Sequence, residues 1–279
     1  MTRVTIALAA AAFALPGPQQ AIFRSQADSV LLDVLATDRN GVIQNLRAAD
    51  IEVRDNGVLQ TLTLVSDEVA PLSVSLLLDT SGSLSTRELE NLRRGATAVA
   101  TSLRPGDELR LATFSQHVVF HGLVDTSAVA RIFSRLEPLG ETALNDALTI
   151  GFRLSERQDS KRPVVIAFSD GDDTASWMTR KTVDDAAKQS WAAFFAATPR
   201  GAAAPVFADL ASLTGGTTLV LNAGFENLPE SFLQILERVR QRHLLAFTPT
   251  SNAAGWHELD VRVKKPNARV VARRGYLRR

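Results

Sequence analysis

The chain predicts an α/β fold, a doubly wound and mostly parallel sheet, with a small β-sandwich built from its N- and C-terminal segments. Three observations carry this reading. After Pro71, short apolar runs alternate with amphipathic stretches of helical period, the rhythm of a parallel sheet covered on both faces. Before Pro71 and again near the end, apolar residues alternate with period two between turn signals. Finally, the apolar run Leu72 to Leu78 stops abruptly at Asp79-Thr80-Ser81-Gly82-Ser83, the pattern of a buried strand emptying into a polar turn.

Taken in order, Arg3 precedes the apolar stretch Val4 to Leu15, which is short for a bilayer span, and Ala12-Phe13-Ala14 offers a small-x-small cleavage pattern. Residues 1–21 therefore read as a signal peptide and linker, removed before about Ile22, which makes the mature protein secreted or periplasmic. Residues 28–70 form an N-terminal β segment: Val30, Leu32 and Val34 alternate, Asn40-Gly41 and Asn56-Gly57 turn the chain, and Ile51 to Arg54 and Val58 to Val65 are strands. Residues 71–249 form the central domain. Its expected strands are 72–78, 109–114, 118–120, 164–168, 191–197, 217–221 and 243–247; its helices are 86–103, 127–136, 143–154, 179–189, 205–213 and 228–240. Gly215-Gly216 closes the fifth helix. Residues 250–279 return to β, with Leu259, Val261 and Val263 alternating and Lys265-Pro266-Asn267 turning. The two terminal β segments each carry a half-apolar face and are expected to cover one another.

Composition narrows the function. With 45% hydrophobic residues in 279, the chain can bury a full core, and a net charge of +1 argues against a nucleic-acid partner. The absence of cysteine excludes disulfides, thiolate catalysis and Cys-based metal centres. Beyond the leader, no segment is long and apolar enough to span a membrane.

The turn after Leu78 carries the chemistry. Asp79, Ser81 and Ser83 stand at alternate positions, so their side-chain oxygens can converge on one point. An oxygen-only donor set suits a hard cation, Mg²⁺ or else Mn²⁺ or Ca²⁺. Two neutral donors leave that cation electropositive and able to take a further anion. Ligands of open α/β sheets sit at the carboxyl ends of the strands, and two other segments reach that edge. Thr142 stands in position to cap the helix from Ala143, and Asp170 follows the strand 164–168.

The motifs DTSGS, GETAL and SDGDD, in that order across an α/β pattern, resemble the von Willebrand factor A domain with its metal-ion-dependent adhesion site. The resemblance covers Pro71 to Pro249. The flanks DRNGVIQNLRAADIEVRDNG, HLLAFTPTSNAAGWHELDVRV and ARRGY resemble the bacterial secreted proteins related to that domain. By position, the resemblance implies that Asp79, Ser81, Ser83, Thr142 and Asp170 hold the metal, the hydroxyls directly and the acids often through water. It implies a protein partner whose exposed carboxylate completes the shell; with the leader this points to an exported adhesion-type module, and an enzyme is disfavoured because no general base or nucleophile is presented beside the metal. Glu141 departs from the family, which usually has glycine there: turned inward it would compete with the partner, turned outward it would add only local negative charge.

Other constellations point elsewhere. There is no GxSxG elbow and no phosphate-binding P-loop. His117 and His121 are expected on a strand, about 13 Å apart, and so at an edge rather than on a metal. Asp172 and Asp173 read as a solvated loop, and Trp177, Trp191 and Trp256 as packing residues. A structural or assembly role in the cell envelope, with metal incidental, is the alternative function.

Overall fold

The computed structural model describes residues 29–66, 70–155, 161–169, 172–199 and 205–278; the expected leader at 1–21 lies outside them. The N-terminal segment gives β1 (Val30–Asp38), β2 (Gly41–Val42), β3 (Ile51–Asp55), β4 (Val58–Leu59) and β5 (Leu62–Ser66). Asn56 and Gly57 both have positive φ, 47° and 83°, which is the primed turn that matches the twist of the β3–β4 hairpin.

The central region follows as β6 (Leu72–Asp79), α1 (Thr86–Ser102), β7 (Glu108–Phe114), β8 (Val118–Leu123), α2 (Thr126–Phe133) and α3 (Leu144–Leu154). It continues with β9 (Arg162–Phe168), α4 (Arg180–Gln189), β10 (Ala193–Pro199), α5 (Pro205–Thr214), β11 (Thr217–Leu221) and α6 (Leu228–Arg240). Six strands form one sheet in the order β11-β10-β9-β6-β7-β8, parallel except for the edge strand β8. Every residue of β6 is buried, as a strand covered on both faces must be. Leu76 and Leu78 pack with Leu92, Val99, Phe232 and Ile235 of α1 and α6 on one face. On the other face Leu77 packs with Leu148, Phe152, Val183 and Phe207 of α3, α4 and α5. Helix α1 starts on a capping box: Ser85 N–H donates to Glu88 Oε2 at 2.8 Å and Glu88 N–H donates back to Ser85 Oγ. After α5 the chain comes so close to β10 that a Cβ on Gly216 would lie 1.6 Å from the Phe194 carbonyl oxygen, so only glycine fits.

The chain ends in β12 (His243–Phe247), β13 (Gly255–Val263), β14 (Arg269–Val271) and β15 (Gly275–Arg278). Two antiparallel sheets, β14-β1-β12-β5 with β2 beside β1, and β15-β13-β3-β4, enclose a shared core of Leu32, Val34, Ile51, Val53, Leu245, Phe247, Leu259 and Tyr276. The terminal segments thus build the expected sandwich. One strand differs from expectation. β12 lies within 71–249 yet pairs antiparallel with β1 and β5, not with the parallel sheet. Its five residues, HLLAF, are all buried, and a strand buried on both faces shows no alternation to tell one setting from the other. Among the described residues no helix is long and apolar enough to cross a membrane.

Candidate metal site

β6 lies in the middle of the central sheet, between β9 and β7, so its carboxyl end opens where three strand termini meet. Asp79 is 1% exposed there. Its Oδ1 accepts the Ser81 N–H at 2.9 Å, and its Oδ2 accepts the Ser169 hydroxyl at 2.7 Å. The carboxylate therefore folds the turn back on itself and ties it to the end of β9. The Thr80 N–H and hydroxyl both donate to the Phe114 carbonyl, at 2.8 and 3.1 Å, fixing the turn to β7 as well. With the turn held on both sides, the Ser81 and Ser83 hydroxyl oxygens come 3.2 Å apart.

The segment carrying Thr142 is stitched alongside. Gly82 N–H donates to the Gly140 carbonyl at 2.8 Å, and Leu139 N–H donates to the Thr80 carbonyl at 3.3 Å. Gly140 has φ +84°, a left-handed conformation that lets the chain turn into Thr142 without strain. Thr142 is 7% exposed. Its N–H donates to Thr174 Oγ1 at 2.9 Å, and its carbonyl accepts the N–H groups of Thr174 and Ala175.

Of the expected residues, Asp79, Ser81, Ser83 and Thr142 are thus brought to one sheet edge. Asp170 lies outside the described residues. The donors present suit a hard cation: two hydroxyl oxygens 3.2 Å apart have the spacing of adjacent ligands around an ion with metal–oxygen distances of roughly 2.1–2.4 Å. Among the described residues no three His, Cys, Asp or Glu side chains gather into a cluster, so the donor set rests on hydroxyls and one carboxylate.

Several expectations change. Thr142 is not the cap of α3; Ala143 takes that position and makes no side-chain capping bond. The helix start is capped instead by the facing loop. Asp173 accepts the Asn145 N–H at 3.2 Å and its Nδ2 at 2.7 Å, and Ser176 Oγ accepts the Asp146 N–H at 3.1 Å. Asp173 is therefore a cap rather than a merely solvated acid. Trp177 is not a packing residue: it is 88% exposed, with its N–H donated to Asp146 in the first turn of α3. Leu139 is 74% exposed on the other stitched segment, so apolar side chains stand out from both loops around the site. A groove of about 570 Å³ opens beside Ser83, lined also by Leu84, Glu88, Asn222 and Phe225. Glu141 is exposed. His121 lies on the edge strand β8, hydrogen-bonded through Nε2 to Thr113 Oγ1 at 2.8 Å, and partial burial lowers its pKa. Ser169, which opens the SDGDD motif, and Thr174 position Asp79 and Thr142, roles not expected from the sequence.

The von Willebrand factor type A domain model matches residues 74–172, which contain the serine turn and Thr142. Human inter-alpha-trypsin inhibitor heavy chain H4 is 28% identical over 134 residues, covering 43% of this chain and 14% of that protein's length. A solved von Willebrand factor type A protein from Catenulispora acidiphila has a TM-score of 0.52 at 12% identity, over 89% of this chain and 75% of its own. Proximal thread matrix protein 1 of the mussel byssus, in a form described as having a zinc-occupied MIDAS motif, has a TM-score of 0.52 at 15% identity. That match covers 62% of this chain and 48% of the mussel chain. At such identities the solved structures share the fold.

Proposed function

We propose that this chain, which carries a von Willebrand factor type A domain, is an exported docking module that captures an acidic group of a protein partner through a bound divalent cation. Asp79, Ser81, Ser83, Thr142 and Asp170 are the residues assigned to hold Mg²⁺, with Mn²⁺ or Ca²⁺ as alternatives. The observation that carries the reading is the Ser81–Ser83 hydroxyl pair, 3.2 Å apart beside the buried Asp79 at the carboxyl edge of the sheet. When bound, the cation supplies a concentrated positive charge that a partner carboxylate can complete. The protein's part is to hold the hydroxyls together, to keep Asp79 fixed through Ser169 and the Ser81 amide, and to offer apolar contact nearby. Leu139 and Trp177, 74% and 88% exposed, support a docking surface around the cation, since apolar groups flanking a polar centre are common in recognition sites. Domains of this type are generally non-catalytic protein-binding modules, which supports a binding rather than an enzymatic role.

The test is capture of envelope or extracellular proteins on the immobilised domain with Mg²⁺, with EDTA, and with Ser83→Ala. Capture that needs Mg²⁺ and is lost in Ser83→Ala supports the reading. Capture indifferent to EDTA favours the envelope-assembly alternative, with metal incidental.

A further inference from the structure

At the amino edge of the central sheet, opposite the metal site, three arginines are buried where the sheet meets the sandwich. Arg162 opens β9, Arg242 precedes β12 and Arg273 precedes β15; they are 5%, 2% and 6% exposed. One carboxylate, Asp33 of β1, meets them directly, through a 2.8 Å contact with Arg162 Nη2. Arg242 donates to the Gly215 carbonyl at 2.5 Å and lies over the Phe195 ring. Arg273 donates to the Gly275 and Ser190 carbonyls at 2.6 and 3.1 Å and lies over Trp191. Carbonyls and ring faces satisfy hydrogen bonds and polarise toward a cation, but they do not neutralise it. Burial lowers the pKa of both Arg242 and Arg273 to about 10, with desolvation the main cause. In addition, Nε and Nη1 of Arg162 and of Arg242 have no acceptor among the described residues.

Three guanidiniums against one carboxylate leave an excess of positive charge in a site where unpaired charge is costly. Beside them lies a cavity of about 60 Å³, lined by Asp33, Lys161, Arg162, Trp191 and Arg273 among others. Lys161 already pairs with Glu108. The room is that of a few water molecules or one small tetrahedral anion. We propose that this cavity binds a single inorganic oxyanion, phosphate or sulfate, which pairs with Arg162 and Arg273, the two guanidiniums that line it, lowers the excess charge around Arg242 behind them, and fastens the sandwich to the central domain. Arginine is suited to this role because its planar fork meets oxyanion oxygens in pairs. The site is independent of the metal edge, and its test does not depend on that reading.

Thermal unfolding of the whole chain is followed against phosphate, sulfate and chloride at matched ionic strength, with equilibrium dialysis of labelled phosphate for stoichiometry. The expected result is one phosphate per chain, displaced by sulfate, and a saturable rise in Tm of about 5–10 °C at one hundred times the dissociation constant, with no such rise in chloride. Asp33→Asn supplies the decisive sign. It removes a like charge from beside the anion, so the variant should melt lower without phosphate yet bind phosphate more tightly. Arg162→Gln should lose the phosphate effect. A parent without saturable 1:1 binding, an equal effect of chloride, or weaker phosphate binding in Asp33→Asn would each overturn the proposal.

Discussion

Asp79 serves the turn as much as any ligand, because both of its oxygens accept protein hydrogen bonds from Ser81 and Ser169. Asp79→Ala should therefore abolish Mg²⁺ binding and also cost about 1–3 kcal/mol of stability, by leaving buried donors without a partner. Ser83 is exposed, and Ser83→Ala is the cleaner probe. Calorimetry should show metal affinity lost with Tm unchanged, and parent-like affinity would remove Ser83 from the site. Glu141 is exposed as well, which favours the outward case; Glu141→Gly should leave partner affinity at saturating Mg²⁺ unchanged, and tighter binding would reveal self-inhibition. The alternation of Asp79, Ser81 and Ser83 was legible because an extended segment repeats every two residues. Ser169 was not legible as a partner of Asp79, because their contact spans 90 positions of sequence and depends on β9 lying beside β6.

Elements show the same division. The strands and helices of the central domain were legible because local period sets them, and the observed bounds lie close to those expected. The placement of β12 was not, because a run buried on every side says nothing about which neighbour pairs with it. Nor was the capping of α3, which comes from Asp173 in another loop rather than from the residue before the helix. Asp173→Ala should accordingly cost about 0.5–2 kcal/mol, the range for losing a helix cap. The edge strand β8 adds a pH dependence. Half-burial lowers the pKa of His121 below its ordinary value of 6.5, so the folded state disfavours the charged ring. Below about pH 6.5 the unfolded chain takes up a proton that the folded chain resists. Stability from this group is therefore whole above that pH and is lost as pH falls toward the folded pKa. Urea unfolding between pH 7.5 and 5 should show the loss in the parent and a flatter profile in His121→Gln; parallel profiles would mean that the group titrates freely.

At the scale of the whole molecule, the two ends of the chain are one structural unit built around the middle. β13 is the partner of β3 across five residue pairs, from Leu259↔Asp55 to Val263↔Ile51, and β14 extends the sheet on β1. Within their shared core, Asp55 from one end and His257 and Tyr276 from the other form a buried polar cluster. Tyr276 donates to Asp55 Oδ2 at 2.7 Å, and His257 Nδ1 lies 2.8 Å from Asp55 Oδ1. Deleting residues after Asn252 removes β13, β14 and β15 together, leaving the Asp55 carboxylate and the inner faces of Ile51 and Val53 without their cover. The truncated chain should therefore lose hydrogen-exchange protection at Ile51–Asp55, although none of those residues was deleted. The proposed metal site lies on the central sheet, whose six strands and six helices among the described residues all precede the cut, so the Mg²⁺ binding expected of the whole chain should survive the truncation. Retained protection at β3 would show that the N-terminal strands stand alone; lost metal binding would show that the central domain needs the sandwich to fold. A milder arm separates the polar cluster from the strands. Tyr276→Phe keeps β15 and its ring packing but removes the donor to Asp55, and should cost about 1–3 kcal/mol without exposing β3 to exchange. If Tyr276→Phe unprotects β3 as fully as the truncation does, the polar cluster rather than strand pairing holds the two ends together.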